Sequence, residues 1–437
     1  MHIKKLSLTN FRAAKSLHLD LHRRLNVFVG ENGAGKTSVL DAAAILLSRF
    51  TDKFLNIENQ GIKIKQTDIK NGEPFTSLDI TLNENVNWNI VKSRDSEDII
   101  NDTRYENEDD YYSDDKSSSL KNAFEAVKLM KRYIYDNDKK VNIPIISYYP
   151  TNRAISSLPL SFNRWFSCDM ISTYTDSLLH SNSFESFFDW FFELENFECE
   201  NRRISDHNIE QEDIKNPNQS LKLVRDVINI IAPEFSDLTI HYNPFIYIEI
   251  KKHGKRMSFV QLSHGEKQLI AMIGDITRRI ILANQERENP LEGDGIIMID
   301  NIELHLHPKH QKSIVPKLME IFPNCQFIIS TNSPHVINQT RPESLFILKE
   351  TEDNIEVKRA NSSYGKTVDR ILEDIMGLHT TRPNEVYETI RNIYEQIDRG
   401  DLGSSGEALD ELSKDIGEDS ELVKARVLIK RKQLIDK

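Results

Sequence analysis

Apolar positions along the chain change period several times, and each change marks a structural block. Ile3-Lys4-Lys5-Leu6-Ser7-Leu8 and Leu17-His18-Leu19-Asp20-Leu21 alternate as half-buried strands do, and Leu78-Asp79-Ile80-Thr81-Leu82 repeats the pattern. Leu25-Asn26-Val27-Phe28-Val29 is almost continuously apolar and predicts a short buried strand; an Ala- and Leu-rich helix follows over 38–47. Residues 95–119 carry Glu106-Asn107-Glu108-Asp109-Asp110 and Asp114-Asp115, lack aliphatic periodicity and read as a solvated acidic linker. Helical spacing dominates 120–240, with helices predicted over 120–135 and 220–231 and an apolar strand over 141–149 ending at Pro150. Phe184, Phe187, Phe188, Trp190, Phe191 and Phe192 fall at helical spacing there, which favours core packing over a stacking surface for a ligand. Strand patterns return at 238–242, 246–250, 296–299 and 326–329. Beyond about 364 Leu409, Leu412, Leu422, Val423 and Val427 are spaced for amphipathic helices. The expected organisation is an α/β block over 1–94, an acidic linker and mainly helical insertion over 95–240, a second α/β block over 241–350, and a helical C-terminal region over 351–437.

The gap between the buried strand and the first helix holds Gly30-Glu31-Asn32-Gly33-Ala34-Gly35-Lys36-Thr37, which satisfies the P-loop pattern G-x-x-x-x-G-K-[ST] in the strand–loop–helix context it requires. Glycines let backbone N–H groups of the loop, including Asn32, Gly33 and Gly35, turn toward phosphate oxygens, and the helix N-terminus at Lys36, Thr37 and Ser38 adds a favourable dipole. Lys36 is expected to reach the β- and γ-phosphates and the Thr37 hydroxyl to sit on Mg²⁺. The expected cofactors are ATP and Mg²⁺. The apolar strand Ile296-Ile297-Met298-Ile299 ends in Asp300, a carboxylate placed to hold that Mg²⁺. Leu262-Ser263-His264-Gly265-Glu266-Lys267-Gln268 opens a further helix; Ser263 with Glu266 makes a capping box, and Ser263 and Gly265 also suit an anion site.

Bulk composition narrows the class. The 437 residues suffice for two or three domains, and a net charge of -12 argues against coating nucleic acid through a general positive field. Three cysteines, Cys168, Cys199 and Cys325, form no zinc or disulfide pattern and suit a reducing cytoplasm. The chain opens on a strand pattern with no signal-peptide core, and no apolar run reaches membrane-spanning length, which excludes a transporter subunit with its own membrane domain. The expected location is cytoplasmic, without membrane partners.

Asn10-Phe11-Arg12, the P-loop, Leu262-Ser263-His264-Gly265-Glu266, the strand to Asp300, Glu303-Leu304-His305-Leu306-His307-Pro308 and Ser330-Thr331-Asn332-Ser333-Pro334 occur in the order found in ABC-type ATPases of the RecF and SMC branch. The chain resembles that branch, and its His-Leu-His-Pro element and the helices after Arg382-Pro383 look most like the ATPase subunits (PtuA) of Septu-type anti-phage systems. The resemblance implies an ABC-type P-loop NTPase head with an inserted helical region and a C-terminal helical extension. It implies a homodimer in which two heads sandwich two nucleotides, with Ser263, Gly265 and Lys267 of one head acting on the γ-phosphate held by the other, and leaves higher oligomers open. It also places Arg12 at the nucleotide, and Gln66, within Gln66-Thr67-Asp68-Ile69, on Mg²⁺.

Two positions depart from the family pattern. Asn301 stands where the family places the Glu that activates water, and Asn332 where it places the switch-loop His. An amide cannot take a proton as a carboxylate can, and loss of a general base costs roughly 10²–10⁴ in rate. Firm nucleotide binding with slow hydrolysis is expected, with Glu303 and His305 as stand-in candidates. Three functions follow from the resemblance: an ATP-binding sensor and scaffold for a partner HNH-type nuclease acting on DNA; a RecF/SMC-like DNA-repair ATPase; and an ATP-coupled nuclease of the overcoming-lysogenization type. The last needs an acidic metal site that the C-terminal sequence does not supply. The repair reading stays open, since the chain lacks only the long coiled coil and Cys-x-x-Cys hook that small RecF-like proteins also lack.

Overall fold

A computed structural model describes residues 1–57, 61–83, 86–94, 118–137, 141–153, 170–178, 183–203, 217–241 and 246–435. The acidic segment 95–117, Cys168 and the side chain of Cys199 lie outside the described residues. Two compact units are present, Met1–Lys366 and Thr367–Lys437.

In the first unit, β1 (Ile3–Phe11) and β2 (Ala14–Asp20) form a hairpin; β3 (Leu25–Val29) leads into the P-loop and α1 (Lys36–Leu55); β4 (Phe75–Leu82) and β5 (Asn87–Ser93) return to β1. Strands β2-β1-β4-β5 make an antiparallel sheet whose residues alternate buried and exposed, as the alternation predicts. After α2 (Lys121–Asp136), strand β6 (Ile145–Tyr149) enters the second sheet. Then come α3 (Ser183–Arg203), α4 (Pro217–Ile231), a three-stranded antiparallel sheet of β7 (Phe235–His241), β8 (Tyr247–Lys252) and β9 (Lys255–Ser258), and α5 (His264–Ala283). β10 (Gly295–Ile299), α6 (Pro308–Ile321), β11 (Cys325–Ser330), α7 (Pro334–Ile337), β12 (Leu345–Glu350) and β13 (Ile355–Arg359) complete the unit.

The site hangs from the six-stranded sheet, ordered β13-β12-β3-β11-β10-β6, parallel except for β13. Every residue of β3, β6, β10 and β11 is buried, which explains their continuous apolar runs. Parallel pairing brings the C-terminal ends of β3, β11, β10 and β6 side by side. Gln326 of β11 ties the two larger sheets together: its amide donates to the carbonyls of Ile3 (2.8 Å) and His22 (2.9 Å) and accepts from Ile3 N–H at 2.7 Å.

The strand expected over 141–149 within the mainly helical region is β6, which pairs along its length with β10. Residues 351–366 fall in the first unit, with β13 paired to β12. The aromatic run of α3 is core: Phe187, Phe188, Trp190 and Phe191 are buried, with the Phe187 ring against Gly274 of α5.

The second unit contains α8 (Val368–Asp374) and a bundle of α9 (Asn384–Arg399), α10 (Leu402–Ile416) and α11 (Ser420–Ile435). Leu409, Leu412 and Leu422 pack with Ile390, Ile393 and Ile397 in its core. Their partner surface is the neighbouring helices of the bundle. Val423 and Val427 instead face outward, 48% and 59% exposed. Among the described residues no helix is long and apolar enough to cross a membrane.

Candidate nucleotide site

The P-loop turns on Gly35, which sits in the left-handed region (φ 93°) with the Ile355 side chain where a Cβ would be, so a larger residue is excluded twice over. Lys36 begins α1 and folds back onto the loop, donating from Nζ to the carbonyls of Gly30 (2.7 Å) and Glu31 (2.9 Å). Burial pushes its pKa down, against the pull of Glu303 and Asp300. An ammonium held only by two carbonyls is ready to exchange them for phosphate oxygens. Ser38 is buried just behind.

Across the sheet, Asp300 follows β10 and is fully buried. Its Oδ2 accepts from Thr37 Oγ1 at 2.9 Å and from Thr151 Oγ1 at 2.6 Å, and its Oδ1 accepts from the Ser330 hydroxyl. Three neutral hydroxyls surround this carboxylate, and no ion pair to it forms among the described residues. A buried carboxylate without a paired cation calls for one. Hard hydroxyl and carboxylate oxygens side by side suit Mg²⁺, which binds through one or two protein groups plus substrate phosphates. No cluster of three or more His, Cys, Asp or Glu exists among the described residues, so an all-protein metal cage is not built there. Thr37 and Asp300 therefore fit Mg²⁺ in company with a nucleotide.

The turn after Asp300 carries the two departures. Asn301 has φ 45°, a left-handed conformation that Asn tolerates better than most residues. Its N–H donates to Ser330 Oγ (2.8 Å) and its amide Nδ2 to Thr151 Oγ1 (3.3 Å). Glu303 accepts from Thr331 Oγ1 and from Asn332 N–H, each at 2.7 Å, so it clasps the switch loop. Asn332 Nδ2 reaches Asn32 Oδ1 at 3.3 Å, joining switch loop to P-loop. His305 is exposed, also with positive φ, and its carbonyl lies where a Cβ on Gly265 would fall, 1.9 Å away. Gly265 is thus required for the start of α5 to pack on the turn following Asp300.

Ser263 caps α5 in the expected capping box: its Oγ accepts from Glu266 N–H (3.4 Å) and its N–H donates to Glu266 Oε2 (3.0 Å). Ser263 and His264 are exposed, and Lys267 is half-buried. Arg12 donates from Nε to Asp68 (2.9 Å) and from Nη1 to Asp41 (2.6 Å); Tyr148 OH donates to the other Asp41 oxygen at 2.7 Å. Its guanidinium therefore ties the Gln66–Asp68 turn to α1 and β6. Gln66 is buried in that turn, donating to the Ser93 carbonyl at 3.4 Å.

Residues 150–153 carry no sequence motif, yet they border the site. Arg153, buried, donates from Nη1 to the carbonyls of Pro150 (3.0 Å) and Asp300 (2.5 Å) and from Nη2 to that of Asn301 (2.8 Å). Burial lowers its pKa to about 10, with Asp300 and Glu303 opposing the drop. The sequence signal was a strand ending at Pro150; only its pairing with β10 reveals where the next residues go.

Known proteins place this arrangement. The chain is 26% identical to the retron Ec83 probable ATPase of Escherichia coli over 91% of its length and 80% of that protein. It is 24% identical to the Septu protein PtuA of Bacillus thuringiensis, covering 91% of this chain and 89% of that one. Among solved structures it is similar to an SmcHead bound to the C-winged helix domain of ScpA, at 15% identity and a TM-score of 0.48, over 82% of this chain and 98% of the other. The AAA ATPase domain family matches residues 1–337, the stretch that holds the P-loop, the Asp300 turn and the switch loop, and the chain belongs to that family.

Proposed function

We propose that this chain is the ATP-binding subunit of an anti-phage defence complex, a nucleotide-controlled scaffold for a partner HNH-type nuclease that degrades DNA. The observation that carries the nucleotide reading is the meeting of Lys36, Thr37, Asp300, Glu303 and Asn332 at one end of a parallel sheet, from segments almost 300 residues apart. The names of its retron and Septu relatives support the defence setting.

Lys36 binds the β- and γ-phosphates, the loop N–H groups cradle them, and Thr37 with Asp300 holds Mg²⁺, which when bound offsets phosphate charge. Ser263 stands exposed at the start of a helix, as a residue that serves a second head must. ATP then closes a head-to-head dimer, and loss of the γ-phosphate loosens it, because the closed state alone makes the cross-head contacts. Hydrolysis is slow: Asn301 carries no base, and both Glu303 oxygens are occupied by the switch loop. ATP serves as an assembly signal more than as fuel.

The test is co-expression with the neighbouring reading frame under phage challenge, with purification of the complex. A co-purifying HNH-type nuclease, and protection lost on Lys36→Ala, is expected. Protection independent of Lys36, or sensitivity to DNA damage with no nuclease partner, contradicts the proposal and favours the RecF/SMC-like repair role.

A further inference from the structure

The Thr151 hydroxyl is an unassigned oxygen at the heart of the site, on the same Asp300 oxygen that Thr37 occupies. A hydroxyl has one donor and two acceptor positions. Thr151 donates to Asp300 and accepts from Asn301 Nδ2, which among the described residues leaves one acceptor position. Thr151 is exposed, and its hydroxyl stands on Asp300 beside that of Thr37. The segment bearing it is fixed: Arg153 clamps the Pro150, Asp300 and Asn301 carbonyls, and β6 runs in register with β10 up to Tyr149 opposite Ile299.

We propose that Thr151 is the third protein oxygen of the divalent-cation site, with Thr37 and Asp300, and that Asn301 serves to orient it. The inference rests on the nucleotide reading above and deepens it. It also gives Asn301 a positive role. An amide in the left-handed turn donates to Thr151 and so fixes which way the threonine's free lone pair faces. A carboxylate at 301 could not donate, and would compete with Asp300 for the Thr151 proton, turning the hydroxyl away from its present orientation.

The experiment is a Mg²⁺ titration of the full chain binding a fluorescent, slowly hydrolysed ATP analogue, run beside the same binding in excess EDTA. Thr151→Val keeps the shape and removes the hydroxyl; Thr151→Ser keeps the hydroxyl. Removing even an outer partner of a metal site costs roughly 10–100-fold in metal affinity, which sets the floor for a ligand oxygen. The Mg²⁺ midpoint should rise roughly 10-fold or more in Thr151→Val and return to within a few-fold of the parent in Thr151→Ser, with Mg²⁺-free binding equal in all three. An unchanged midpoint in Thr151→Val, an equal shift in Thr151→Ser, or equal weakening in EDTA overturns the assignment while leaving the nucleotide site intact. Failure of the parent to bind the analogue overturns the nucleotide reading and this inference with it.

Discussion

Replacing Asp275 by Asn should destabilise the ATPase unit by about 3–5 kcal/mol, the usual cost of removing one partner from a buried ion cluster. Asp275 lies fully buried on α5 between Arg278 and Arg279, themselves fully buried. Its Oδ1 accepts from Arg278 Nε and Nη2 at 3.1 and 2.7 Å; its Oδ2 accepts from Arg279 Nε at 2.7 Å and Tyr149 OH at 2.8 Å. The amide removes from the interior the carboxylate charge that Arg278 and Arg279 share. Unfolding entropy of about 2.1 cal/mol/K per residue gives the Met1–Lys366 unit roughly 0.8 kcal/mol/K, so the melting temperature should fall by about 4–6 °C. Burial alone would raise the Asp275 pKa, but Arg279 and Arg278 outweigh it and hold the carboxyl below its ordinary range. With a depressed folded pKa, the stabilisation is present above the unfolded value of about 3.9 and is lost as pH falls through the folded value. Calorimetric scans of parent and variant should therefore differ most near neutrality, begin to converge below about pH 4 and meet only below the folded value. A melting temperature within 1 °C of the parent at pH 7 (about 1 kcal/mol or less) refutes the idea that this carboxylate compensates the two arginines.

Three further outcomes are expected. Gly265→Ala drives a Cβ onto the His305 carbonyl; overpacking of about 1–3 kcal/mol should shift α5 and abolish ATP-dependent dimerisation in light scattering while ATP-analogue binding persists, and unaltered dimerisation removes the packing argument. At saturating Mg²⁺, Asn301→Glu should raise ATP turnover, up to the roughly 10²-fold scale of a general base, and lower the melting temperature because Glu tolerates the left-handed turn less well; if turnover stays at the parent level while Glu303→Gln abolishes it, the base is Glu303. Truncation after Lys366 should spare analogue binding, because every residue of the nucleotide site lies in the first unit, and should reduce assembly size or partner recruitment through α11, which exposes Val423, Val427 and Leu434; an unchanged assembly and partner leave that bundle no docking role.

The P-loop and Asp300 were legible because each follows a wholly buried strand of one parallel sheet, and such strands are continuous apolar runs in the sequence. Thr151 was not, because a single threonine beyond a proline has no spacing signature; its role depends on the pairing of β6 with β10, across about 150 residues. Asp275, Arg278 and Arg279 sit at i, i+3 and i+4, which on sequence alone matches an ordinary solvated helix face; packing of α3, α4, β6 and residues 170–175 on α5 buries them. The C-terminal leucines were legible as helix faces, but their partners proved to be one another's helices. The resemblance alone places Arg12 at the nucleotide; in the structure its guanidinium bonds Asp41 and Asp68, partners that no spacing in the sequence marks.

The nucleotide site itself is tested most directly by equilibrium binding of a slowly hydrolysed ATP analogue with Mg²⁺ to the parent and to Lys36→Ala. Lys36 is the P-loop's only cation, and charge-assisted bonds of about 1.5–3 kcal/mol each make a loss of roughly 100-fold or more the expected result. Saturable binding by the parent and its collapse in Lys36→Ala agree with the account; equal affinity in the two proteins contradicts it.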